Sequence, residues 1–304
     1  MHISDTAIWC DSIRARDLCF VSSAEALRSR RHGQVIASPA TLKLLASPRL
    51  PPEEQLGVPY GRPFTVGTTR LELFSTGHAI GSAGLWVRGQ HRDVIYAGHI
   101  NPVGGAGGGL DSRSADVLIL AAHYGDPSYR FEGSYQQVFE FCADVGAAGT
   151  AVLLVTSPLK GLEVAARLEG HGSCWLAPTI YGRAKKLDWV GAGSERVLHR
   201  ASASCFKPGR TVIWPLAAVD RLPALPPASK VALVSGESVS SERIDRTIAC
   251  SSRADYNQLI EFIDGVGASE VWVTGRFNDR FCSELDGPKR RFRPLGPPQQ
   301  LSLL

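Results

Sequence analysis

Thr150-Ala151-Val152-Leu153-Leu154-Val155 is an uncharged apolar run of strand length, the composition of a strand buried on both faces. Its flanks change period. Tyr135 to Val145 places apolar residues at helical spacing, Lys160 to Glu169 is a second helix, Cys174 to Ala177 a second strand and Tyr181 to Val190 a third helix. Strands alternating with helices predict a parallel sheet with crossover connections, a unit of the α/β class. This unit spans 134 to 227 and closes at the proline-rich Leu222-Pro223-Ala224-Leu225-Pro226-Pro227.

Towards the N-terminus the chain reads differently, as short strands between turns. Ala7-Ile8-Trp9-Cys10, Leu18-Cys19-Phe20-Val21 and Gln34-Val35-Ile36-Ala37 are the first three, and Thr65 to Phe74, Ala83 to Val87, Asp93 to Ala97 and Val117 to Leu120 follow. Ser38 before Pro39 and an apolar stripe through Leu45 marks a helix start, because the hydroxyl caps free amides and proline suits the first turn. After the α/β unit, Lys230 to Ser235 and Glu270 to Thr274 are strands and Ala254 to Val266 is a helix. The expected organisation is a β-rich domain of residues 1–133 and 228–285, interrupted by 134–227 and followed by a flexible tail, 286–304.

Composition narrows the function classes. No apolar run approaches the length of a bilayer span, and Met1-His2-Ile3-Ser4-Asp5 lacks the charged-then-apolar order of a secretion signal, which predicts a cytoplasmic protein without membrane contact. Seven cysteines occur with no CxxC pair, so reduced core thiols are expected in place of a disulfide framework or zinc ribbon. A net charge of +4 permits contact with nucleic acid without requiring it. Gly104-Gly105-Ala106-Gly107-Gly108-Gly109 lacks the preceding strand and the Lys-Ser/Thr of a phosphate loop, and reads as a turn.

Specific motifs stand on this framework. Ser75-Thr76-Gly77-His78-Ala79-Ile80-Gly81-Ser82-Ala83, Tyr96-Ala97-Gly98-His99, Ala121-Ala122-His123-Tyr124-Gly125, Ser251-Ser252-Arg253-Ala254-Asp255-Tyr256 and Val271-Trp272-Val273-Thr274-Gly275 occur in that order. Together they resemble the metallo-β-lactamase family with a β-CASP insertion, from about residue 7 to about 280. The resemblance is to the bacterial exonuclease-like branch associated with DNA ligases and helicases. It implies an αββα sandwich carrying an inserted β-CASP α/β domain.

The same resemblance implies two zinc ions held by His and Asp clusters, and here the chain departs from the pattern. At the family's HxHxDH signature the sequence has Ser23, Glu25, Leu27 and Arg28. His99 stands for a bridging aspartate, Ala121 for an acidic residue, Arg253 for the histidine assisting the leaving group and Gly275 for a ligand histidine. His78 keeps its place and Asp11 is a remnant of the first motif. Two zinc ions need about six to eight protein ligands, so the expectation is no metal, no catalytic residue and a pseudo-nuclease. The alternative is one zinc held by His78, His99 and His123 with Glu25, serving a remodelled hydrolase. His2, His32, His91, His171 and His199 fall in loops or ends and enter neither reading.

The chain end supplies a partner. Gln300-Leu301-Ser302-Leu303-Leu304 resembles the pentapeptide by which bacterial repair and replication proteins bind the DNA sliding clamp. A glutamine amide donates and accepts at a pocket rim while leucines bury apolar area. Lys289, Arg290, Arg291 and Arg293 precede it and are candidates for DNA contact; Arg14, Arg16, Arg28, Arg30 and Arg31, and Arg183, Lys185 and Lys186, form two further basic clusters. Solvated surface charge is the alternative for each cluster. The functional expectation is a non-enzymatic adaptor joining a DNA repair partner to the clamp, with a heterodimer partner of an active β-CASP nuclease as a further alternative.

Overall fold

The computed structural model describes residues 1–27, 32–46, 50–104, 108–131, 133–190 and 197–296. The chain divides into two compact units: Met1–Arg130 with Arg253–Leu304, and Phe131–Ser252. Both are mixed α/β.

The first unit begins with a four-stranded parallel sheet. Its strands β1 (Trp9–Cys10), β2 (Leu18–Phe20), β3 (Gln34–Ala37) and, after helix α1 (Pro39–Leu45), β4 (Gln55–Gly57) lie side by side in sequence order. Helix α1 starts as its sequence predicts, with the Ser38 hydroxyl accepting from the Thr41 amide at 3.1 Å. Its Leu42 and Leu45 pack with Cys19, Val21 and Val35 on the outer face of the sheet. A second, seven-stranded sheet contains β5 (Phe64–Val66), β6 (Thr69–Ser75), β7 (Ala83–Arg88), β8 (Val94–Gly98) and β9 (Val117–Ala121). The single strand expected over Thr65 to Phe74 is instead a hairpin, Val66 facing Thr69 across a two-residue turn. Gly67 takes φ +58° there, a conformation that glycine reaches without Cβ strain.

The second unit is a six-stranded, all-parallel sheet. In chain order it contains α2 (Ser134–Val145), β10 (Thr150–Val155), α3 (Pro158–Arg167), β11 (Cys174–Leu176), α4 (Pro178–Lys186), β12 (Leu198–Arg200), β13 (Arg210–Pro215), β14 (Lys230–Ser235) and β15 (Arg246–Ala249). The lateral order is β12-β11-β13-β10-β14-β15. All six side chains of β10 are buried, as its composition requires. β14 pairs with β10 through Val152 and Val231, and β15 pairs with β14. The expected closure at residue 227 is therefore corrected to Ser252: ladder pairing holds 230–235 and 246–249 in the inserted sheet, and the proline-rich segment is a connection within it.

The chain then returns to the first unit as α5 (Tyr256–Val266), β16 (Glu270–Thr274), α6 (Asn278–Leu285) and β17 (Arg291–Pro294). β16 joins β9 and β17 joins β16, both in parallel. One apolar cluster lies between the two sheets, with Ile8, Phe20 and Ile36 against Leu71, Leu73, Leu85 and Ile119. A second packs the opposite face of the larger sheet, Phe74, Ile95 and Leu118, against α5 and α6 through Leu259, Phe262 and Phe281. Helix, sheet, sheet and helices thus form four layers. The expected tail from 286 is also corrected, since Phe292 is buried and residues 291–294 are a strand. Gln300, Leu301, Ser302, Leu303 and Leu304 lie outside the described residues. No described helix is long and apolar enough to cross a membrane.

Candidate functional site

Three turns of the first unit bring the motif histidines together. His78 follows β6, His99 follows β8 and His123 follows β9. Their rings form a row, His78 to His99 at 5.1 Å between centroids and His99 to His123 at 6.2 Å. The first turn is held by its own polar groups. The Ser82 hydroxyl contacts the Thr76 hydroxyl at 2.9 Å and accepts from the Ala79 amide at 3.0 Å. Gly81 offers its carbonyl to the hydroxyls of Ser38 at 2.5 Å and Thr41 at 2.8 Å. Gly77 has φ +65°, and a Cβ there would meet the Asn101 carbonyl oxygen at 2.2 Å. His78 is consequently fixed and buried.

The electrostatics of this row disfavour a proton on its middle member. Burial pushes the His99 imidazole well below its usual range, and the neighbouring charges of His78, Arg253 and His123 push the same way. A neutral His99 results, with its Nδ1 buried and without a hydrogen-bond partner among the described residues. Asp11 is occupied elsewhere. Its carboxylate accepts the Ser22 amide at 2.8 Å, the Ser22 hydroxyl at 2.6 Å and the Tyr96 hydroxyl at 2.8 Å. Burial raises the Asp11 pKa, and these hydrogen bonds offset part of that rise.

Gly275 has φ +117°, and a Cβ on it would lie 2.9 Å from the Ala122 carbonyl oxygen, so the backbone leaves little room for a side chain. Ser23 is buried, whereas Glu25 is exposed on the turn after β2. Arg28 lies outside the described residues, with Arg30 and Arg31. Asp255 caps α5 through a reciprocal pair, accepting from the Gln258 amide while its own amide donates to the Gln258 side chain, both at 3.0 Å. Among the described residues no group of three or more His, Cys, Asp or Glu side chains is disposed to hold a metal ion. Of the zinc set weighed from the sequence, His78, His99 and His123 share one row and Glu25 is exposed on its own turn.

The basic candidates separate on inspection. Arg290 donates to Asp264 at 2.6 Å, Arg291 lies 3.6 Å from Asp286, and Arg293 lies 3.1 Å from Glu270. Each has a local carboxylate, which reduces the net charge available to phosphates; Lys289 is exposed. Arg16 stacks on Trp9 at 3.4 Å from the ring centroid. Arg183, Lys185 and Lys186 occupy the last turn of α4, where cations favour the helix dipole.

Sequence reasoning missed one site. In the second unit, Lys160, Glu163, Tyr135 and Cys250 meet in the interior. Lys160 and Glu163 are three residues apart and inward-facing on α3; the signal was a charged pair inside an otherwise apolar helical face. His32 lies in a loop as expected, buried and accepting from the Arg16 amide, whereas His199 differs from expectation, lying on β12 and stacking on Trp175.

Comparison with known proteins adds two relations. The chain is 23% identical, over 321 aligned positions, to a protein named Probable DNA ligase from Opitutus terrae. That match takes in all of this chain and 31% of the other protein; the chain spans about a third of that relative's length. The fold is similar to the crystal structure of a protein of unknown function from Enterococcus faecalis, with TM-score 0.65 at 12% identity, covering 92% of this chain and 79% of that one. No protein-family model matches.

Proposed function

We propose that this chain is a pseudo-nuclease of the metallo-β-lactamase/β-CASP type that works as a non-enzymatic adaptor in DNA repair or replication, docking on the bacterial sliding clamp through Gln300-Leu301-Ser302-Leu303-Leu304. The observation that carries the loss of activity is the state of the former ligand positions. Gly275 has little room for a ligand side chain, Asp11 is engaged by three donors, and Arg253 contributes positive charge beside His99. Repulsion and missing donors both disfavour a cation there. The αββα layering and the inserted parallel sheet agree with this family assignment, and the distant relation to a protein named Probable DNA ligase supports a DNA-processing context.

The clamp reading rests on the pentapeptide. Its leucines supply apolar burial and its glutamine the polar rim contact, and a short linear peptide that orders on binding gives an affinity of about micromolar order. Binding of the full chain, and of a version ending at Pro298, to purified clamp tests it. Retention by the full chain alone supports the adaptor; equal binding or none removes the peptide from the account. Metal analysis of the same sample tests the other half, where zinc at one per chain would restore the hydrolase alternative on His78, His99 and His123.

A further inference from the structure

The Lys160 cluster has no role in the function proposed above. Lys160 sits in the first turn of α3, where its amide donates to the Ser157 cap at 3.1 Å. Its side chain turns inward and is 4% exposed, that of Glu163 is 1% exposed, and Cys250 is fully buried. Lys160 Nζ lies 3.4 Å from Cys250 Sγ, 3.4 Å from Glu163 Oε1 and 3.2 Å from the Tyr135 hydroxyl. Tyr135 also donates to the same Glu163 oxygen. The other oxygen of Glu163 has no partner among the described residues. Amine nitrogen and thiol sulfur are therefore in direct contact beside a carboxylate with spare acceptor capacity.

We propose that Lys160 and Cys250 form a covalent nitrogen–oxygen–sulfur crosslink when dioxygen oxidises the pair. Dioxygen is the oxidant because it is small and apolar, and enters a packed apolar interior that excludes larger thiol reagents. The step balances as follows. The Lys160 ammonium passes one proton to Glu163, the Cys250 S–H and one Lys160 N–H bond break, and the O–O bond breaks. One oxygen bridges nitrogen to sulfur through new N–O and O–S bonds, and the other leaves as water with two protons. Nitrogen and sulfur each lose two electrons, and dioxygen takes up all four.

The bridge would join residues 90 apart in the chain, tying α3 to the end of β15. A crosslink closing a long loop restricts the unfolded chain, so the oxidised protein melts higher than the reduced one. All seven cysteines stand as free thiols, and the remaining six serve as internal controls.

The test is peptide mapping by mass spectrometry of the full chain after incubation in air-saturated buffer, with and without dithiothreitol. The expected product joins the peptides of Lys160 and Cys250, with the mass of one oxygen gained and two hydrogens lost. It disappears with reductant, and the melting temperature falls back with it. Lys160→Arg and Cys250→Ser abolish it. Unlinked peptides after oxidation, addition of two or three oxygens to Cys250 alone, or the same bridged mass in Lys160→Arg would each overturn the proposal. The wild-type map decides the matter even where a buried substitution prevents folding.

Discussion

The histidine row of the first unit, buried at His78 and half-buried at His99 and His123, and the buried lysine cluster of the second are polar groups balanced in opposite ways. His99 stands between His78 and His123 with Arg253 acting on it as a positive charge, and the row is kept tolerable by an imidazole that gives up its proton. Lys160 meets a carboxylate and a phenol, and stays buried by compensation. The lesson concerns fragility. A group relieved by neutralisation depends on pH, whereas a group relieved by a partner depends on that partner.

The largest expected effect comes from separating Lys160 from its carboxylate. Glu163→Ala leaves an uncompensated buried ammonium and should cost about 3–5 kcal/mol in urea unfolding. Replacing both, Lys160→Met with Glu163→Leu, should recover most of it; a double variant as unstable as the single one would show that shape, not charge, dominates.

On the histidine side, Gly275→His restores the residue type that the resemblance expects. At φ +117° with the Ala122 carbonyl in the way, it should cost about 1–3 kcal/mol and gain no zinc by calorimetry. Stoichiometric zinc binding by this variant would instead show a pocket still shaped for metal, and the contrast between the two clusters would collapse.

The smallest effect is a pH dependence. An unfolded imidazole titrates near about 6.5, and the folded His99 value lies below that. Above the unfolded value both states are neutral and stability is complete. As pH falls below it the unfolded chain takes up a proton that the native state refuses. Stability then drops by at most about 1.4 kcal/mol per pH unit until the lowered folded value is reached. His32 is shifted the same way by burial and Arg16, so His99→Gln should flatten only part of the slope. Asp11, raised by burial, acts with the opposite sign and nearer the carboxylate range. A slope unchanged in His99→Gln would remove neutralisation from the account.

Much of this fold was legible where composition left one solution. β3, β10, β14 and β16 match their apolar runs residue for residue, because a short, mostly apolar stretch between turn signals has few other ways to bury itself. β13 was missed although it lies between β11 and β10 in the inserted sheet. Pro208-Gly209 before it and Pro215 at its end read as turn signals, yet a proline at a strand end costs no ladder donor that the sheet needs. β17 was hidden by its two arginines, Arg291 and Arg293. On a strand those side chains project to solvent and carboxylates while Phe292 alone turns inward. The three histidines were readable from motif order; of the Lys160 cluster only the Lys160–Glu163 pair left a local signal, since Tyr135 and Cys250 lie 25 and 90 residues from Lys160 and only packing brings them in.

The carbonyl of Gly81 leads further. Two hydroxyls from residues 40 and 43 positions away converge on it, and neither belongs to the histidine row. The turn that presents His78 is thus anchored by parts that take no share in whatever His78 does. Inherited changes at residue 78 leave both anchoring hydrogen bonds with their donors and acceptor, so a scaffold wired in this way keeps its hold on the turn while the side chain presented there changes over generations.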